Sequence, residues 1–198
     1  MKGMGASTPA APTTTTPVDP RIQAILAGQR GAAESLLTEL LPRVRNLVRY
    51  LSKGDQDVDD IAQEALMAIL RGLPTWRGEG SFKSWADRVV ARVVFASLRK
   101  TRGAREQVGG EDEAGEAVAE DATPDAYVFR RDMARLLDAL SDEQRHAMVL
   151  HHVMGMSVPE MTEELGIPFE TVRSRLRLGR TNLRALYERE AGSGRSKP

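Results

Sequence analysis

Residues 103–126 divide this chain in two. They read GAREQVGGEDEAGEAVAEDATPDA, and positions 106–126 hold eight acids and no base. A run of Gly, Ala and like charge cannot bury enough apolar surface to offset the entropy lost on ordering, so it reads as a flexible acidic linker. Two foldable stretches remain, 21–102 and 127–190, each the size of a small domain. Residues 1–20, rich in Pro, Thr and Ala, read as a disordered arm, and 191–198 as a disordered tail.

The formal charge is zero, with 28 basic and 28 acidic side chains. That zero is a sum of unlike blocks: 21–105 carry 15 basic and 9 acidic groups, 127–187 carry 9 and 8, and the linker is wholly acidic from 106 onward. The blocks mark parts of the molecule. No apolar run approaches the roughly 18–20 residues of a membrane helix. The N-terminus lacks the apolar stretch of a signal peptide, so cytoplasm is the expected compartment. The absence of cysteine excludes disulfides, thiol catalysis, iron–sulfur clusters and Cys-based zinc sites.

Both stretches read as helical, which makes the expected fold class all-α. In the first, Ile25, Leu36, Leu40, Val44, Leu47, Val48 and Leu51 keep helical spacing, with a kink or break expected at Pro42. Residues 57–71 predict a second helix with acids in its first turn, where the macrodipole favours them. Ser81 can cap a third, running to about Arg102. In the second stretch, Ser141-Asp-Glu-Gln144 and Ser157-Val-Pro-Glu160 are capping-box sequences, and each opens a helix.

The sharpest motif is MSVPEMTEELGIPFETVRSRLRLGRTNL. A capped helix of about eight residues, a turn at Gly166 and a basic second helix are helix-turn-helix grammar. Val158, Met161, Leu165, Ile167, Val172 and Leu176 have the spacing to pack the pair, and Thr162 is small enough for a close crossing. Arg173, Arg177, Arg180 and Arg184 share a broad face of the second helix. A duplex major groove takes such a helix: arginines meet guanine edges, while hydroxyls and further arginines meet phosphates. A solvated face on an ordinary helical hairpin is the bland alternative.

The second motif is PTWRGEGSFKSWADRVVARVVFASLRKTRG. Residues 88–105 hold six bases and no acid, and Trp76, Phe82 and Trp85 lie just before them. Aromatics beside cations suit unpaired bases, which stack on rings while phosphates meet Arg and Lys. The bland alternative is core aromatics with solvated arginines. Asp55-Gln-Asp-Val-Asp-Asp60 resembles the start of a calcium loop but has Asp60 where Gly is needed and Leu66 where Glu is needed. The three histidines, His146, His151 and His152, lack metal-ligand spacing. No residue set forms an active site, so no catalysis, metal or cofactor is expected.

These stretches resemble the sigma factors of bacterial RNA polymerase, in the compact extracytoplasmic-function (ECF) group. Asp57-Val-Asp-Asp-Ile-Ala-Gln-Glu64, Gly78-Glu-Gly-Ser-Phe-Lys-Ser-Trp85 and the basic helix after them are similar to the family's region 2. Leu136 to Leu186, with Gly166-Ile-Pro-Phe-Glu-Thr-Val-Arg-Ser-Arg-Leu176, is similar to region 4. The resemblance implies two helical domains on a linker, with core RNA polymerase, promoter DNA and an anti-sigma factor as partners. It implies that Asp59, Asp60, Gln63 and Glu64 face the polymerase clamp. Trp76, Phe82 and Trp85 would shape or support the site for melted DNA, with Arg88, Arg92, Ser97, Arg99 and Lys100 along it. Arg173, Ser174 and Arg177 would approach bases of the upstream element, and Thr171, Arg175 and Arg180 its phosphates.

The sequence departs from the family at Val93, often Asn, at Ser97, often Asp, and at Leu178-Gly179, usually Arg-Ala. Gly179 costs about 1 kcal/mol against Ala within a helix, which predicts weakening or bending after Arg177. A second reading of the residues is a stand-alone helix-turn-helix regulator whose N-terminal half dimerises or senses. The aromatic–basic block argues against it, because a duplex reader needs no base-stacking platform.

Overall fold

A computed structural model describes residues 19–54, 57–108 and 124–193; most of the expected linker and arm lies outside the described residues. The described residues form helices and connecting turns, with no strand among them.

The N-terminal domain holds α1 (Pro20–Leu26), α2 (Arg30–Leu51), α3 (Val58–Gly72) and α4 (Phe82–Val108). Gly28, at φ +83°, separates α1 from α2, so the spacing from Ile25 to Leu51 belongs to two helices rather than one. α2 runs through Pro42 without a break. Proline leaves the carbonyl four residues back without its donor, but Thr38 and Pro42 are both exposed, where water can serve that oxygen. α4 continues to Val108, past the expected end near Arg102, because Gly103 is its one weak helix former there.

Val48, Leu51, Ala65, Ile69, Val90, Ala91 and Val94 are fully buried where α2, α3 and α4 meet. Each large side chain among them contributes about 1.5–3 kcal/mol by leaving water. α3 and α4 approach closely at Gly72, where a Cβ would stand 3.0 Å from Cζ2 of Trp85. Arg43 on α2 forms a two-pronged ion pair with the buried Asp87 of α4, an interhelical tie that spacing did not reveal.

The C-terminal domain holds α5 (Pro124–Asp138), α6 (Asp142–Met148), α7 (Val158–Leu165) and α8 (Phe169–Ser193). Ser141 caps α6 by accepting from the Gln144 N–H at 3.4 Å. The Gln144 side chain does not close the box. Its Oε1 instead accepts from Asn182 of α8 at 2.9 Å. A π-helical turn, Val149–Val153, prolongs α6, and the Met154 N–H donates to the Val149 carbonyl at 3.1 Å. Nothing in the spacing announced it.

The two domains share one continuous hydrophobic core. The C-terminal half of α2 lies against α5, α6 and the π turn. His146 closes the junction: its Nε2 lies 3.0 Å from the Leu51 carbonyl, and its ring stands edge-on to Phe95 of α4, centroids 4.9 Å apart.

Candidate nucleic-acid interface

α7 begins with a complete capping box. The Glu160 N–H donates to Oγ of Ser157 at 3.5 Å, and the Ser157 N–H donates to Oε2 of Glu160 at 2.8 Å. The Ser157 N–H, together with the Ser157 hydroxyl, which donates to the same Oε2 at 2.7 Å, holds the Glu160 carboxyl below its usual range. Gly166, at φ +63°, supplies the left-handed residue that ends α7 and turns the chain into α8. Met161, Val172 and Leu176 are buried between the two helices, and Val158, Leu165 and Ile167 pack around them. Thr162 bonds back to the Val158 carbonyl at 3.0 Å. The turn, caps and apolar contacts expected of a helix-turn-helix are all present.

The outer face of α8 brings Arg173, Ser174, Arg177 and Arg180 around one shallow concavity, with His151 at its edge. Sequence reasoning missed His151. Its Nδ1 is 2.8 Å from the Met156 carbonyl, a bond made possible by the π turn. Arg173 is exposed, 3.2 Å from Glu170, and lies over the Phe169 ring at 6.0 Å. Arg180 donates to Nε2 of His152 at 3.4 Å. Thr171 sits half-buried in the first turn of α8, its N–H bonded to the Pro168 carbonyl. Arg175 does not join this face. It lines a separate groove with Phe95, Arg99, Arg102, Glu143 and Glu164, between the two domains. Two residues along a helix rotate a side chain by about 200°, so Arg173 and Arg175 must point apart.

α8 is one uninterrupted helix through Gly179, and the expected weakening has a different physical meaning. A Cβ at Gly179 would stand 2.8 Å from Cγ of Met148 on α6. The glycine is a contact point between two helices.

In the N-terminal domain Trp76, Phe82 and Trp85 do come together. Trp76 and Phe82 meet edge to face at 5.4 Å, Phe82 and Trp85 at 5.6 Å, and Trp76 and Trp85 at 6.4 Å. The cluster is half-buried over Ile22, Leu36 and Leu73, so much of its ring surface is committed to the core. It props the loop before α4, where Gly78 and Gly80 adopt φ +75° and +76°. Arg99 and Lys100 are exposed and Ser97 is half-buried further along α4. Val93 packs against the core, an apolar setting in which Asn would lose hydration. Arg88 and Arg92 are not free: they pair with Glu160 and Glu164 of α7.

On α3, Ile61, Ala62 and Ala65 turn inward, which leaves Asp59, Asp60, Gln63 and Glu64 exposed on one acidic flank. Asp59 is 2.8 Å from Arg45.

The described residues thus join a helix-turn-helix carrying an arginine face to a helical domain with an aromatic cluster and a basic helix. Residues 36–104 match the family Sigma-70 region 2, and residues 130–183 match Sigma-70, region 4. The ECF RNA polymerase sigma factor SigE of Mycolicibacterium smegmatis is 30% identical over 155 residues, 76% of this chain and 60% of that one. The ECF RNA polymerase sigma-E factor of Escherichia coli K12 is 26% identical over 166 residues, covering 78% of this chain and 86% of that one. This chain belongs to the sigma-70 family, in its ECF group. It spans only three-fifths of the Mycolicibacterium relative.

Two solved structures share the fold. One is the sigma factor RpoE with the anti-sigma factor NepR from Bartonella quintana, with TM-score 0.60, 22% identity, and 78% of this chain and 96% of that one covered. The other is CnrH with the cytosolic domain of CnrY, with TM-score 0.54, 21% identity, and 85% and 95% covered.

Proposed function

We propose that this protein is a promoter-specificity subunit: it binds core RNA polymerase and directs transcription initiation. The observation that carries the proposal is the pairing, in one chain, of a helix-turn-helix with an arginine face and a separate basic helix beside an aromatic cluster. The exposed flank Asp59, Asp60, Gln63 and Glu64 docks on a basic polymerase surface. The loop at 77–81, propped by Trp76, Phe82 and Trp85, and the face of Arg88, Arg92, Ser97, Arg99 and Lys100 take the melted strand. The half-buried rings support this site more than they stack with bases. Arg173, Ser174 and Arg177 read base edges of the upstream element. Arg180 and Thr171 meet its phosphates from the same helix, and Arg175 reaches a phosphate only once the domains part.

An anti-sigma factor is the second partner proposed, because one structural relative, RpoE of Bartonella quintana, is a sigma factor in complex with the anti-sigma factor NepR. The stand-alone regulator reading is not favoured, since the family match covers the N-terminal domain as well as the helix-turn-helix. Reconstitution with core polymerase tests the proposal. Start sites that appear only when this protein is added, and in proportion to it, are the expected result. Site-specific duplex binding without any polymerase dependence would overturn it.

A further inference from the structure

His151 faces the arginine concavity from outside α8. It belongs to the π turn Val149–Val153, is half-buried, and shares the concavity with Glu170, Arg173, Ser174, Arg177 and Arg180. Its Nδ1 lies 2.8 Å from the Met156 carbonyl. A carbonyl only accepts, so Nδ1 carries the ring proton, and the neutral ring keeps a bare lone pair on Nε2. With Nδ1 turned to Met156, Nε2 is the nitrogen left for the concavity. Three cations and the anion Glu170 face the ring from α8, while α7 contributes only the apolar Val158 to this concavity. His152, on the same turn, meets it edge-on with centroids 4.7 Å apart. Tyr50 of α2, with Arg184 and Glu188 of α8, lies beside His152 in the groove on the other side of the turn. Burial, and then His151 and Arg180, hold the His152 imidazole below its usual range, so it remains the neutral acceptor of the Arg180 bond at 3.4 Å.

We propose that His151 is a proton-gated contact to a phosphate at the edge of the upstream element, so that this protein holds its promoter more tightly as pH falls from 8 to 6. This rests on the reading of α8 as the duplex-reading helix. In a helix-turn-helix the second helix enters the major groove, while the elements before it cross the backbone. His151 precedes α7, so it meets backbone rather than base edges. A neutral Nε2 turns a lone pair toward the phosphate and repels it. The imidazolium instead donates a charge-assisted N–H bond to the same oxygen. An imidazole changes charge between pH 5 and 8, and an anion within reach favours the charged ring. Binding therefore takes up a proton, and by linkage acid strengthens binding.

The test uses holoenzyme assembled from the full chain and core polymerase, with a labelled duplex that the parent selects from a randomised upstream element. The parent is expected to bind about tenfold more tightly at pH 6 than at pH 8, the worth of one hydrogen bond to a charged group. Its slope of log affinity against log salt should be steeper by about 0.9 at pH 6, because one more phosphate is neutralised. His151→Gln should lose both differences and bind like the parent at pH 8. His151→Arg should bind at both pH values like the parent at pH 6. An unaltered pH dependence in His151→Gln would overturn the contact. So would a shifted base preference with affinity independent of pH, because the ring would then read a base edge. Should the variants melt early, single neutral methylphosphonates along the duplex take their place. One position is expected to abolish the parent's pH dependence, and a scan in which none does would overturn the contact. Selection of no sequence at all would sink the reading of α8 and the contact with it, whereas a selected duplex bound without pH dependence sinks the contact alone.

Discussion

Gly179 of α8 lies so close to Met148 of α6 that a Cβ there would sit 2.8 Å from the methionine Cγ and 3.1 Å from its sulfur. Cγ is near the backbone and cannot swing aside as a side-chain tip can. Gly179→Ala therefore sets a helix-propensity gain of about 1 kcal/mol against an overpacking cost of about 1–3 kcal/mol. The expected net is a loss of about 1 kcal/mol in urea unfolding. Gly103, inside α4 with nothing within 4 Å of its added Cβ, provides the control. Gly103→Ala should gain up to about 1 kcal/mol. Stabilisation by both substitutions would show that the α6–α8 contact relaxes freely.

Arg173 and Arg175 offer a test of facing. Arg173→Ala should cost about 1–3 kcal/mol at one base pair and relax the preference there. Arg175, in the interdomain groove, should lower affinity by less and equally for all sequences. Selection from a randomised upstream element with each holoenzyme reads both outcomes. A shifted base preference for Arg175→Ala would contradict the geometry described.

The local grammar was legible in sequence because its signals are short-range. Ser157, Glu160 and Gly166 fix the start and end of α7 within ten residues, and the structure repeats them. The arginine face of α8 was legible from period alone, whereas on α3 the residues alone gave acids in the first turn and the set Asp59, Asp60, Gln63 and Glu64 came with the family resemblance. What escaped depends on long-range placement. Glu160 and Glu164 lie 72 residues from the arginines they meet. No spacing rule links such positions, although an acid stripe on α7 could have raised the question. Gly179 was misjudged for the same reason: propensity sees the helix it belongs to, not the methionine opposite. The half-buried Arg43–Asp87 pair likewise required knowing that α2 and α4 are neighbours.

Asp60 and Glu64 are exposed on α3 and take no part in the core. Asp60→Lys or Glu64→Lys should leave the helical signal and melting temperature nearly unchanged. Each should weaken core polymerase binding by more than tenfold, or about 1.4 kcal/mol, because a like charge then meets a basic surface. Co-purification with core polymerase measures this. Normal recovery of both variants would remove this flank from the docking model.

His146 makes the domain junction sensitive to acid. Burial, together with the neighbouring Arg145, pushes its pKa down to about 4. Asp142 and Glu143 on its own helix act the other way, and Arg99, Arg102, Glu164 and Arg175 line the adjoining groove. In the unfolded chain His146 takes a proton near pH 6.5, whereas the folded chain resists until about pH 4. Stability is thus full above pH 6.5 and falls as pH drops through that window, by at most about 3 kcal/mol. His146→Phe removes the titration. Its stability, lower at pH 7 through loss of the bond to Leu51, should decline less between pH 7 and 5 than the parent's. Parallel declines in urea titrations at the two pH values would show that other groups carry the acid sensitivity.

The bridge between the domains is shorter than composition suggested. α4 ends at Val108 and α5 begins at Pro124, so positions 109–123 must connect them, not the 24 residues of 103–126. Fifteen residues reach at most about 50–55 Å when extended. As a flexible coil they would span only about 20–25 Å. Promoter elements one and a half duplex turns apart are separated by roughly 50 Å. A bridge that long has almost no slack, so length should matter more than charge. Removing Gly109, Gly110, Ala114, Gly115 and Ala117 keeps every acid and shortens the reach to about 35 Å. That deletion should cut initiation by tenfold or more unless a turn of α4 or α5 unwinds. Changing Glu111, Asp112, Glu113, Glu116, Glu120 and Asp121 to Gln or Ser at constant length should cost less. Run-off transcription from one promoter compares the two. Full activity of the shortened chain, with the helix content of α4 and α5 unchanged by circular dichroism, would mean that the two domains engage DNA much closer together than two elements on a straight duplex allow.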